Sequence, residues 1–128
     1  FREPGQREKL EQIIHPEVAR LRALREAELA GQGVDILVHD IPLLFEAGLA
    51  DQFDLIVLVD APTEQRVQRI VQNRGIQRPE AERMVAAQLP AEQKRTRAAV
   101  VIDNDGSMDA LRRKAEEVWH TIRARASA

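Results

Sequence analysis

Two segments of this 128-residue chain place chemistry-bearing side chains where plain surface or plain core would not. The first is Pro42-Leu43-Leu44-Phe45-Glu46, three large apolar residues and one carboxylate directly after an apolar run, where a loop would normally turn polar. Such a segment suits a pocket wall with one polar anchor. Ordinary core packing of Leu43, Leu44 and Phe45 under a helix accounts for the same spacing. The second is residues 63–98, where Arg66, Arg69, Arg74, Arg78, Arg83, Lys94, Arg95 and Arg97 outnumber Glu64, Glu80, Glu82 and Glu92 in a chain whose net charge is -2. Arg66, Arg69 and Asn73 fall at i, i+3 and i+7, opposite Val67 and Ile70, and Arg74 stands just before Gly75. Guanidinium forks so arranged grip phosphate oxygens and offset charge at a transferring phosphoryl group. A solvated helix face with weak ion pairs is the plainer alternative.

Beside these, Asp40 and Asp60 stand just after apolar runs and suit either a metal-phosphate group or a simple turn cap. His15 precedes Pro16 and reads as a helix-boundary residue, while His39 and His120 read as structural and Trp119 as core. No pair of histidines or carboxylates has metal-ligand spacing, so no protein-built metal site is expected. Nor does any Ser, His and Asp arrangement suggest a nucleophile.

The elements that must position these residues follow from periodicity and punctuation. Leu10, Ile13 and Ile14 share a helical face up to His15-Pro16, where the pattern predicts a break. A second helix is expected from Pro16 to Ala30, stopped by Gly31 and Gly33. Short β-branched runs at 34–39, 54–60 and 98–104, each closed by turn residues, predict three buried strands. Between the second and third lie a helix from Thr63 to Gly75, another from Pro79 to Gln88, and a turn or two at 91–97. Ser107 opens a closing helix with Met108, Leu111, Val118, Trp119 and Ile122 on one stripe. Strands separated by helices predict an α/β fold with a parallel sheet covered on both faces, and ligands gather at the carboxyl ends of such strands.

Composition narrows the field further. Lys plus Arg number 19 against 21 Asp plus Glu, which argues against a general nucleic-acid binder. There is no cysteine, which excludes disulfides, thiolate zinc sites and cysteine nucleophiles and fits a reducing, cytoplasmic setting. The apolar runs are too short to span a membrane as a helix. The chain opens at Phe1 in polar text, and the expectation is a piece of a longer protein.

Taken in order, His15-Pro16, Asp40 to Glu46, Gln65-Arg66 through Arg69 to Arg74-Gly75, Gln88, and Val101 to Gly106 resemble the dephospho-CoA kinase family over nearly the whole chain. The resemblance implies a three-layer P-loop NTPase-like fold with a helical acceptor side and a lid. It also implies phosphorylation of the ribose 3'-hydroxyl of dephospho-CoA by ATP and Mg2+, the last step of coenzyme A synthesis. Residues 1–33 would form the helical substrate side, 34–62 core strands, 63–97 the lid and its flanking helices, and 98–128 the last strand and closing helix of one kinase-like domain. By matching position, His15, Pro16, Pro42, Leu43, Phe45 and Glu46 would serve dephospho-CoA, Arg66, Arg69 and Arg74 the ATP phosphates, and Asn104 the adenine side. Arg69 and Arg74 would be the catalytic pair.

The family's Gly-rich loop ending in Lys-Ser or Lys-Thr does not occur here: Gly5, Gly31, Gly33, Gly48, Gly75 and Gly106 are the six glycines, and none precedes such a pair. The family's catalytic aspartate belongs to that same amino-terminal part, so ATP and Mg2+ would be held mainly outside this chain, which is expected to be inactive alone. The strand leading into that loop would lie between 34–39 and 55–59, leaving both with unpaired edges. A different nucleoside or nucleotide P-loop kinase and a non-catalytic kinase-derived binding module are the alternatives.

Overall fold

Good helix formers and ion pairs one turn apart dominate residues 4–31, and they fold as a single helix. The computed structural model describes residues 4–128, in two compact units that meet in sequence at His39 and Asp40. In the first, helix α1 runs Pro4–Gly31, 28 residues without interruption, with Pro16 inside it. The predicted break at His15-Pro16 is thus corrected. Proline removes one helical hydrogen bond and crowds the carbonyl four residues back. Here that carbonyl belongs to exposed Gln12, where water can serve it, and the Arg7–Glu11 pair at 2.7 Å and the Arg20–Glu17 pair stiffen the turns before and after. Gly33, at φ 77, ends the helix with Gln32 N donating to the Glu28 and Leu29 carbonyls.

Residues 34–39 follow without regular secondary structure, which corrects the first of the three predicted strands. A β-ladder needs a partner for its amides, and none of the described residues pairs this run. Val38 accordingly stands 79% exposed, and His39 Nε2 lies 3.2 Å from Glu26 Oε1 on α1.

The second unit is built on two parallel strands, β1 (Val57–Asp60) and β2 (Val100–Asp103), paired Val57 to Val100 through Asp60 to Asp103. Between them run α2 (Thr63–Arg74), α3 (Arg78–Ala86) and α4 (Ala91–Arg97), and α5 (Met108–Ala126) follows β2. Val67, Ala81 and Val85 form the buried seam between α2 and α3, with Ile70, Val71 and Ile76 against it. Gly75 stops α2 at φ 63, its amide on the Val71 carbonyl, and Pro79 sits in the first turn of α3, both where the punctuation placed them. Ser107 Oγ caps α5, accepting from Ala110 N at 3.1 Å.

α5 packs on β2, whose Ile102 is buried. Trp119, expected in the core, is instead 42% exposed. Four strand residues cover only about 13 Å, and the twelfth residue of a helix lies about 18 Å along its axis, so Trp119 passes beyond the strand.

Candidate active site at the strand ends

The carboxyl ends of β1 and β2 meet α2 and α4 in a network of arginines. Asn104 N donates to the Asp60 carbonyl at 2.6 Å, continuing the ladder one residue past the strands. Arg95 Nη1 donates to Asp60 Oδ2 at 3.1 Å and Asp103 Oδ1 at 2.7 Å, clamping both strand ends. The Arg95 guanidinium holds the Asp103 carboxyl below the usual carboxylate range. Asp60 Oδ1 also takes the Ala61 amide at 2.9 Å, so Asp60 combines a turn cap with an ion pair. Asp40 is exposed at the start of this unit.

The arginine face of α2 divides in two. Arg69 Nη1 donates to the Asn104 carbonyl at 2.9 Å, and its Nη2 to Gln65 Oε1 at 3.3 Å. Gln65 Nε2 in turn donates to the Asp105 carbonyl at 3.1 Å, so α2 holds the turn after β2 from two positions one helical turn apart. Arg66 points elsewhere, with Nη2 on Gln88 Oε1 at 2.7 Å. Arg74 is exposed on the last turn of α2 and has no partner among the described residues. Arg78 donates to both Glu64 oxygens, at 2.9 and 2.7 Å, and to Glu82 at 2.8 Å, tying α3 to α2. Arg69, expected at the ATP phosphates, is therefore in contact with Asn104, expected at the adenine side, and Arg66 bonds to neither.

A cleft of about 110 Å³ opens beside this network, lined among others by Pro42, Leu58, Asp60, Arg66, Gln88 and Lys94. The Pro42–Gly48 segment behind it is a tight turn, with Ala47 N on the Leu43 carbonyl at 2.9 Å and Gly48 at φ 69 closing it. The turn buries Phe45 at 8% exposure while Leu43 remains 39% exposed. Arg97 lies over the Phe45 ring, 4.9 Å from its centroid. Glu46 accepts from Lys94 Nζ at 2.9 Å and from the Leu89 amide at 3.2 Å. His15 and Pro16 lie exposed on α1 in the first unit.

Lys94, buried at 7% exposure, is the residue that sequence reasoning missed. It stands in a polar run that reads as surface. The available signal was Glu46 itself, since a carboxylate set among apolar residues requires a cation or amide to meet it.

Burial pushes the Glu46 carboxyl up, but hydrogen bonds from Lys94 and the backbone outweigh it and hold the group below its usual value. With the folded value depressed, its stabilising contribution is complete above the unfolded glutamate value and is lost as pH falls through the folded one. Wild type is expected to exceed Glu46→Gln in urea midpoint at neutral pH and to converge on it as pH falls through the folded value. Two curves staying parallel over that range would show that Glu46 is not the ionised partner of Lys94.

No group of three or more His, Asp or Glu side chains that could hold a metal ion occurs among the described residues. No helix there is long and apolar enough to cross a membrane.

Comparison with known proteins places this arrangement in context. A family model described as dephospho-CoA kinase matches residues 1–110. A dephospho-CoA kinase of Geobacter sulfurreducens is 42% identical over 119 residues, covering 93% of this chain and 60% of that protein. Among solved structures, TT1252 from Thermus thermophilus matches at 37% identity and TM-score 0.76, over 94% of this chain and 62% of that one. A dephospho-CoA kinase from Campylobacter jejuni shares the fold at TM-score 0.63 and 24% identity, over 95% of this chain and 60% of that one. The chain thus spans about three fifths of the length of these relatives.

Proposed function

This chain belongs to the dephospho-CoA kinase family, and from that premise we propose that the intact protein bearing it transfers a phosphoryl group from ATP to the ribose 3'-hydroxyl of dephospho-CoA. The observation that supports this reading most is the continuity of the family match across residues 1–110, which include the Pro42–Glu46 turn, the arginines of α2 and the strand-end turn.

In this reading, by matching position, His15 and Pro16 of the first unit and Pro42, Leu43, Phe45 and Glu46 of the second are each assigned to the acceptor side, and residues 63–97 to the lid side. ATP, when bound, supplies the phosphoryl group. Arg66 and Arg69 present guanidinium forks of the shape that phosphate oxygens accept, and Arg74 adds an exposed cation at the end of the same helix. Arg69, already oriented by the Asn104 carbonyl, meets charge developing on the transferred group without reorganising. Asn104 carries the adenine side. These residues position and stabilise, with no covalent intermediate. The reaction is assigned to the cytoplasm, in keeping with a chain that contains no cysteine.

The test is an ATP-dependent assay on the intact protein, offering dephospho-CoA and nucleoside monophosphates separately. Turnover of dephospho-CoA is expected, and these 128 residues alone, without a Gly-Lys-Ser/Thr loop, are expected to give none. Phosphorylation of monophosphates without turnover of dephospho-CoA would assign the chain to another kinase. Binding without turnover of either would make it a binding module.

A further inference from the structure

Helix α4 has seven residues and three separate attachments. Lys94 reaches Glu46 at 2.9 Å, Arg95 holds Asp60 and Asp103, and Arg97 covers the Phe45 ring. Spacing explains the division: Lys94 and Arg97 stand three apart and share one helix face, while Arg95 projects away from it. Lys94 and Arg97 therefore grip consecutive residues of one turn, and Arg95 fixes the same helix to the strand ends. The Glu46 side chain is 20% exposed, and its Oε2 takes both the Lys94 ammonium and the Leu89 amide. A carboxylate occupied in this way by protein donors is poorly placed to receive a ligand, yet it lies within the turn that carries the apolar wall.

We propose that Glu46 is a positioning residue, which through Lys94 fastens the Pro42–Gly48 turn to α4, so that the placement of α4 sets the affinity of the Pro42–Phe45 wall for the acceptor. The proposal deepens the kinase reading above and rests on it. Glu46 does not touch the acceptor. Arg97, through the Phe45 ring, is the second and weaker half of the same clasp.

The test measures kcat and the KM values for dephospho-CoA and ATP in the intact protein, for wild type, Glu46→Gln, Lys94→Met, the double variant and Lys94→Arg. Each single loss is expected to raise the acceptor KM roughly tenfold, with kcat and the ATP KM within about twofold. The double variant is expected to be no worse than either single one, because both remove the same contact. Lys94→Arg should restore most of the affinity. Arg97→Met, at an exposed position where folding is not at stake, should raise the acceptor KM about threefold. Additive losses in the double variant would overturn the proposal by giving Glu46 a contact of its own. Earlier melting with unchanged KM values in all variants would also overturn it, leaving the clasp merely structural. Absence of dephospho-CoA turnover in the wild type would instead remove the kinase reading itself.

Discussion

Arg69→Ala in the intact protein is expected to lower kcat with ATP roughly a hundredfold, the scale of losing one preorganised donor at developing charge. Stability should change far less. The packing face of α2 is Val67, 2% exposed, with Ile70 and Val71 against α3, and Arg69 leaves from another side of the helix. Its folding contribution is the hydrogen bond to the Asn104 carbonyl at 2.9 Å, worth about 1 kcal/mol, or a few degrees of melting temperature. Gln65 would still hold the same turn through the Asp105 carbonyl. Arg69→Lys keeps the charge without the fork and should recover only part of the rate. A melting shift with normal kcat would reduce Arg69 to a tie between α2 and β2.

Phe45→Ala is the second large effect, and here stability leads. The ring is 8% exposed inside a closed turn and carries Arg97 on its face, so truncation leaves a void beneath a guanidinium. A loss of about 3 kcal/mol is expected, measurable by urea unfolding at constant slope. Phe45→Leu fills most of the void but offers no ring face, which should limit the loss to about 1 kcal/mol. If Phe45 also forms the acceptor wall, the alanine variant raises the KM for dephospho-CoA under conditions where it remains folded. An unchanged KM there would confine Phe45 to the core.

What could be read in advance was what neighbouring residues decide. Gly75, Pro79 and Ser107 act within one turn of their own position, and each ends or starts a helix where punctuation placed it. The contact of Arg69 with Asn104 is not legible in the sequence, because 35 residues separate them and no local rule joins them. Pro16 suits the first turn of a new helix, but the strongly helical sequence on either side carries α1 through it at a cost of about 3 kcal/mol. The run 34–39 has strand composition, yet a strand is a pairing, and its partner is not supplied by the described residues. Trp119 lies on an apolar stripe whose cover depends on the length of β2, and a helical pattern does not encode that length. Lys94 is the same lesson reversed, a charge drawn inward by a carboxylate far away in sequence.

The β1 and β2 ladder sets Val57 opposite Val100, with three helices threaded between them. Every hydrogen bond of that ladder must wait until this long intervening segment has closed into a loop, at an entropic cost the sheet recovers only afterwards. The α2 and α3 hairpin, joined by a few residues at Gly75, can assemble first and shorten the search. Substitutions in its Val67, Ala81 and Val85 seam would then slow folding, whereas those in the strands would act on the rate of unfolding.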